Sequence, residues 1–311
     1  MSLRSSRPIT FDEVYRGILF AAATCVFLVV ALIVYESARG ALPAIRTLGW
    51  SFLTSTEWDP VADHYGALPY IYGTLVTSAI ALLLAVPIGI GSSIFLAELA
   101  QRHAGTVVSF VMELLAAIPS IVYGIWGFFV LAPFLRNWIE PWLIQNFGYL
   151  PLFRGAPFGI GILNAGIILA IMVVPTIISI SREVLMATPR SLREASLALG
   201  ATRSEAIAVA LDAARPGILG AVILALGRAL GETMAVTMVI GNTNRITGSI
   251  LSPGATMASI IANEFTEATG DLYLSALIEI ALVLFAITIV VNALARILVR
   301  WTTGGRREIA G

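Results

Sequence analysis

The chain has 311 residues, 58% of them hydrophobic and 12% charged, and its nineteen basic and nineteen acidic side chains cancel. A soluble domain carries roughly 25% charged residues, so the composition argues against a water-soluble globule, and without a basic excess nothing points to nucleic acid. Every basic residue is an arginine; lacking lysine, the chain has no P-loop and no amine for a Schiff base. Its single cysteine, Cys25, rules out an intrachain disulfide, and two isolated histidines, His64 and His103, leave no HExxH pair. Cys25 reads as an ordinary buried residue.

A helix crosses a ~30 Å hydrocarbon core with about 20 apolar residues. In chain order, the tracts that meet this are Gly17–Tyr35, Tyr65–Ala97 (apolar from Tyr70), Leu114–Leu135, Gly155–Ser181, Pro216–Ile240 and Leu272–Val299. The first has the basic front of a signal peptide, but its length and the bulky Tyr35-Glu36 end favour a retained anchor. With the N-terminus inside, thirteen arginines fall on inner segments, five on outer ones, and Arg228 within the fifth span. That bias predicts both termini in the cytoplasm.

The expected fold is all-α and polytopic, with six transmembrane helices. It divides into a cytoplasmic tail over 1–15, an N-terminal helix over 16–36, an external loop over 37–69, a transmembrane domain over 70–299 and a cytoplasmic tail over 300–311. The external loop carries Trp50, Trp58 and Pro60. A second outer segment, Pro133–Pro157 with Trp138 and Trp142, reads as an interfacial helix.

The cytoplasmic loop over 182–215 carries more local signal. Ser191 with Glu194 and Thr202 with Glu205 are both S/T-x-x-E capping boxes, and Gly200 sits where a C′ glycine closes a helix. These signals predict two short helices bent about Gly200. They present Leu192, Ala195, Leu197 and Leu199 to the cytoplasm, where apolar surface calls for a partner; an amphipathic helix resting on the bilayer or on the chain's own spans is the alternative. The run Glu194-Ala195-Ser196, then Gly200, resembles the EAA–G motif of ABC importer permeases. That resemblance implies a coupling helix docked on an ATP-hydrolysing subunit, formed here by Ser191, Glu194, Ala195, Ser196, Leu199 and Gly200. It departs from the family pattern downstream, where Ala210-Leu211-Asp212-Ala213 stands in place of an isoleucine-x-leucine-proline.

The fifth span holds two charges. Arg228 lies thirteen residues from Arg215, roughly 20 Å along a helix at 1.5 Å per residue, near the midplane. Glu232 is at i+4, on the same face and within pairing reach. A membrane-centred charge costs at least ~2.5 kcal/mol on insertion scales and normally faces a bundle interior or a wet path. Gly227 and Gly231 form a GxxxG step for close helix approach. An arginine fork suits an oxyanion; the competing reading is a structural ion pair. Hydrogen phosphate can donate to a carboxylate such as Glu232 and sulfate cannot, so the pair favours phosphate. Pro119 implies a kink with a freed carbonyl, and Glu113, Pro119 and Glu279 are candidates for the path or for packing.

The stretch Gly227–Val236, together with Tyr65–Ser78 and Ala116–Gly124, resembles the C-type permease subunits of phosphate-specific ABC importers, a likeness that covers nearly the whole chain. It implies the type I importer core from Tyr70 onward with one added N-terminal helix, and translocation residues at Arg228, Glu232 and Thr233. It also implies a homologous second permease, a dimer of ATP-binding subunits and an extracytoplasmic phosphate-binding protein, in a bacterial inner membrane. No cofactor is expected in this chain; ATP and magnesium would sit on the ATPase partner, and this chain would make and break no covalent bond. The alternatives are the same architecture for sulfate, molybdate or phosphonate, the companion phosphate permease, or a passive channel, which would leave the docking loop without a purpose. A membrane enzyme lacks HExxH and a GxSxG elbow.

Overall fold

The computed structural model describes residues 11–100 and 102–304. Most of the two predicted tails, with Arg4, Arg7, Arg306 and Arg307, therefore lies outside the described residues. Six helical stretches are long and apolar enough to cross a membrane: Tyr15–Leu48, Leu68–Leu99, Ser120–Phe147, Ile162–Ala187, Arg203–Gly231 and Asp271–Val299.

Helix α1 (Phe11–Leu48) continues well beyond the Tyr35 predicted as its end. Its most apolar window buries nothing inside the chain, and Cys25 is exposed there rather than buried, as expected of a helix whose solvent is lipid. Its last turns pack instead on α13 (Asp271–Gly304). Gly40 admits the Ile278 side chain; the Ser275 hydroxyl accepts from the Ala44 N–H at 2.9 Å and donates to the Gly40 carbonyl at 2.8 Å. The first half of the predicted external loop is thus helical, held by a serine inserted into one backbone turn.

Past the short helix α2 (Ser51–Thr54), the strands β1 (Trp58–Asp59) and β2 (His64–Tyr65) pair antiparallel. Trp58 meets Tyr65, Tyr70 and Tyr273 edge-on, and Tyr65 stacks on Tyr273. One Glu264 carboxylate oxygen accepts from Trp58 Nε1 at 2.6 Å and from the Tyr273 hydroxyl at 2.7 Å. Burial and the neighbouring Asp63 push the Tyr65 hydroxyl up to about 12.

Helix α3 (Leu68–Ile94) ends in a π-helical turn over Phe95–Leu99. The third span is displaced from the Leu114–Leu135 prediction. Helix α4 (Arg102–Ala117) stops at Ile118-Pro119, and a new helix starts at Ser120. It runs through α5 (Ser120–Trp126), α6 (Ala132–Phe134) and α7 (Glu140–Phe147), joined by π-helical turns. Trp138 and Trp142 are therefore exposed on the third crossing helix and not on a separate interfacial one. The prolines permit this continuity because Pro133 and Pro141 fall in the first turns of α6 and α7, where a missing N–H is tolerated.

Helix α8 (Ile162–Ala187) is central. Its Ala165, Ile168, Leu169, Met172, Val173 and Ile177 are buried against small residues of neighbours, Ala81 and Ala85 of α3 and Ala225 and Ala229 of the fifth span. Small side chains let membrane helices approach closely. The predicted loop over 182–215 is mostly helix: α8 reaches Ala187, α9 covers Arg190–Ala198, and α10 runs from Arg203 to Gly231. The second "short" helix is thus the start of a 29-residue one. It passes through Pro216 with a stripe of buried alanines (Ala206, Ala210, Ala214, Ala221, Ala225, Ala229) facing its neighbours. Helices α11 (Met234–Val239) and α12 (Met257–Glu264) precede α13.

Candidate translocation site

The fifth span is broken where its charges are. Helix α10 stops at Gly231; Glu232 turns extended (ψ 126°), and α11 begins only at Met234. The i,i+4 proximity of Arg228 and Glu232 requires a helix that continues through Glu232, and this one does not. Among the described residues the two form no ion pair. Glu232 Oε1 instead accepts from the Ala235 N–H at 3.4 Å, at the start of α11. Arg228 Nη1 reaches Thr176 Oγ1 of α8 at 3.5 Å, the outer limit of a hydrogen bond. Both side chains are half-buried. Thr233 spans the break: its hydroxyl donates to the Gly231 carbonyl at 3.4 Å, and its own carbonyl accepts from the Thr237 N–H and hydroxyl.

The glycine step does not act within this chain. A side chain at Gly231 would meet nothing within 4 Å, and one at Gly227 only Asn292 Nδ2 at 3.8 Å. Among the described residues α13 approaches this face only through Asn292, and the backbone at Gly231 lies open.

The predicted kink at Pro119 is a full break, and the carbonyl it releases is not available. Proline's missing N–H frees the Leu115 carbonyl, which accepts from the Tyr123 hydroxyl at 2.9 Å, while Pro119's own carbonyl accepts from Val122. Tyr123 lies within electrostatic reach of Arg228. Glu113 is exposed on α4. Glu279 is buried on α13, at 7% exposure, with Oε2 unpartnered among the described residues.

After α11 the chain turns into a non-helical segment over 241–256. Its second half is packed into the bundle: Ser249, Ile250, Leu251 and Gly254 to Thr256 are buried. Its backbone groups are paired, with the Gly254 N–H on Ile240 and the Leu163 N–H on Ile250. Gly73 of α3 lets the Ala255 carbonyl approach so closely that a Cβ there would lie 2.0 Å from it. Irregular backbone is tolerated at membrane depth when buried in protein and satisfied in this way. Two of the three stretches that carried the resemblance meet directly, and the third packs on the segment that leads into α12. Gly124 packs on Ala235 and Met238 of α11, and Gly73 and Thr74 pack on Ala255 to Met257.

In the elbow between α9 and α10, the second capping box forms, with Thr202 and Glu205 capping each other's backbone. The first does not: α9 begins at Arg190, two residues earlier than a Ser191 cap requires, with Pro189 at its N-cap and no side-chain cap. Gly200 has φ +87°, the left-handed conformation that closes α9. Glu194 and Ala195 are exposed and Ser196 half-buried; Leu192 and Leu197 are exposed, and Leu199 is 90% exposed.

Residues 85–304 match the family model for the binding-protein-dependent transport system inner membrane component. The chain belongs to this family. The match begins inside α3 and leaves α1 outside it. The chain is 48% identical over 306 residues to the phosphate transport system permease protein PstC of Mesorhizobium japonicum, covering 95% of this chain and 94% of that protein. It is 47% identical to PstC of Haemophilus influenzae over 93% of this chain and 95% of the relative. Among solved structures it is similar to an inward-facing MetNI methionine ABC transporter chain, with TM-score 0.52 and 19% identity, over 76% of this chain and 93% of that one. The expected fold, a type I importer permease core with an added N-terminal helix, stands, and the chain is a multi-pass membrane protein. Members of this family are permeases whose ATPase is a separate partner.

Proposed function

We infer that this chain is a transmembrane permease subunit of an ATP-driven inorganic phosphate importer. The observation that carries the reading to a site is Arg228, half-buried in a membrane-crossing helix, beside a helix break, with no carboxylate among the described residues neutralising it. An unpaired guanidinium at membrane depth is costly and offers an incoming oxyanion its planar fork. The competing structural ion pair loses its support once the two charges are held apart. Thr176 is the neighbour that sequence reasoning missed; nothing local links residues 52 apart.

Glu232 stands one residue past the end of α10, where it meets the proton of hydrogen phosphate and repels fully ionised sulfate. Thr233 holds the break open. Pro119 and Glu279 belong to packing, and the exposed Glu113 lines no part of the bundle. The open face at Gly227 and Gly231 is where a homologous second permease closes the path. On the inner side α9, with Ser191, Glu194, Ala195, Ser196, Leu199 and Gly200, docks one subunit of an ATP-binding dimer, which carries the ATP and magnesium. A phosphate-loaded binding protein delivers from outside, and both termini are cytoplasmic. ATP-driven closure of the dimer then shifts the population between inward- and outward-open states. The test is ATP-dependent phosphate uptake by the assembled importer in proteoliposomes, which a passive channel would show without ATP.

A further inference from the structure

Beside the exposed elbow lies an ion pair between residues far apart in sequence. Glu98 stands in the π-helical turn that ends α3, and Arg193 in the middle of α9. Arg193 Nε lies 3.1 Å from each Glu98 oxygen, and Nη2 also donates to Oε1. The remaining guanidinium donors go to α8: Nη1 to the Thr188 carbonyl at 3.1 Å and Nη2 to the Leu185 carbonyl at 3.0 Å. The side chains are only 20% and 10% exposed. This is the one ion pair among the described residues that joins two helices and is substantially buried.

Its geometry is built rather than incidental. The Ala100 N–H bonds the Phe95 carbonyl five residues back, so the turn holds one residue more than an α-helical turn. An extra residue rotates the chain beyond it by about 100° around the axis, which re-aims the end of α3, and such π-turns concentrate at functional positions. The carbonyls of Leu185 and Thr188 lie at the C-terminal end of α8, where the helix dipole favours a cation. One planar guanidinium therefore ties α9 to both α3 and α8. Lysine, a single compact point charge, cannot reproduce that fork.

We propose that Arg193 and Glu98 form the joint that transmits movement of the docking helix α9 to α3 and α8, and so to the bundle around Arg228. The proposal rests on the importer reading for what moves α9. Arg193 is a positioning residue: it touches no substrate. Helix α3 is the natural recipient, because Gly73 and Thr74 near its other end hold the segment over 255–257 that lies beyond the broken span.

The experiment uses the complete importer, with its partner permease, ATPase and binding protein, in proteoliposomes. It reads phosphate uptake, ATP hydrolysis, and amide exchange in α9 and in residues 95–100 with and without ATP. In wild type both segments change protection on adding ATP. In Arg193→Ala and Glu98→Gln, α9 still responds and residues 95–100 fall silent. The ATP consumed per phosphate imported rises about tenfold, within the usual range for coupling between sites. Arg193→Lys recovers little, and the exchanged pair Glu98→Arg with Arg193→Glu does not restore coupling, because a carboxylate at 193 meets the Leu185 and Thr188 carbonyls without a donor to offer them. Wild-type coupling in the single variants or in the exchanged pair, or loss of assembly in both single variants, overturns the joint. Wild type that shows the paired exchange response but imports no phosphate sinks the phosphate reading and leaves the joint standing. Wild type that imports phosphate with residues 95–100 silent does the reverse.

Discussion

The α9–α10 elbow and the broken fifth span carry equally conspicuous sequence motifs, yet they responded differently to folding. At the elbow, Gly200 closes α9 at positive φ and Thr202 caps α10 with Glu205. In the fifth span, the expected Arg228–Glu232 contact is absent because α10 ends at Gly231. The elbow signals are settled by neighbours within four residues. An i,i+4 pair presupposes a helix that persists, and here α10 gives way to α11, which packs on α5, α8 and α12.

The contrast can be broken from either side, beginning with the largest effect. Deleting Glu194–Gly200 removes the proposed docking surface while sparing Arg228; ATP-dependent uptake is expected to fall to background, with the ATPase no longer co-purifying. Retained uptake would show that the elbow is not the point of attachment. Glu232→Gln removes the repulsive charge from the break. The preference for phosphate over sulfate in competition assays falls about tenfold, the scale of one hydrogen bond to a charged group; an unchanged preference would end the carboxylate's role. Gly200→Val leaves space intact, since nothing lies within 4 Å of a Cβ there, but places a branched side chain in the left-handed region at about 1–2 kcal/mol. The recovered complex with the ATPase drops several-fold, and a full yield would show that the bend is not needed for docking.

How much was legible in the sequence depends on the range of the interactions involved. Six apolar tracts gave six crossings because hydrophobic length is local, and the exposed Leu192, Leu197 and Leu199 reflect helical spacing around a C′ glycine. Helix ends were harder. The Ser191 box failed because Pro189 starts α9 early, and α1 outran its apolar tract because Ser275, some 230 residues on, packs into its last turns. The Pro119 break was readable as a kink, but its released carbonyl was already taken by Tyr123. The burial of residues 254–256 is a long-range feature, since a glycine of α3 yields room to the Ala255 carbonyl. At the site, Arg228 was conspicuous as an arginine deep inside an apolar span, whereas Thr176 and the Glu98–Arg193 pair needed the fold to bring them together.

The central claim is that Arg228 engages phosphate during passage. Its most direct test is ATP-dependent phosphate uptake by the reconstituted importer, wild type against Arg228→Ala, with sulfate as competitor. Loss of a charge-assisted contact of this kind lowers uptake roughly 100-fold, with assembly and ATPase docking intact and sulfate competing poorly in wild type. Uptake by Arg228→Ala at the wild-type rate would contradict the account.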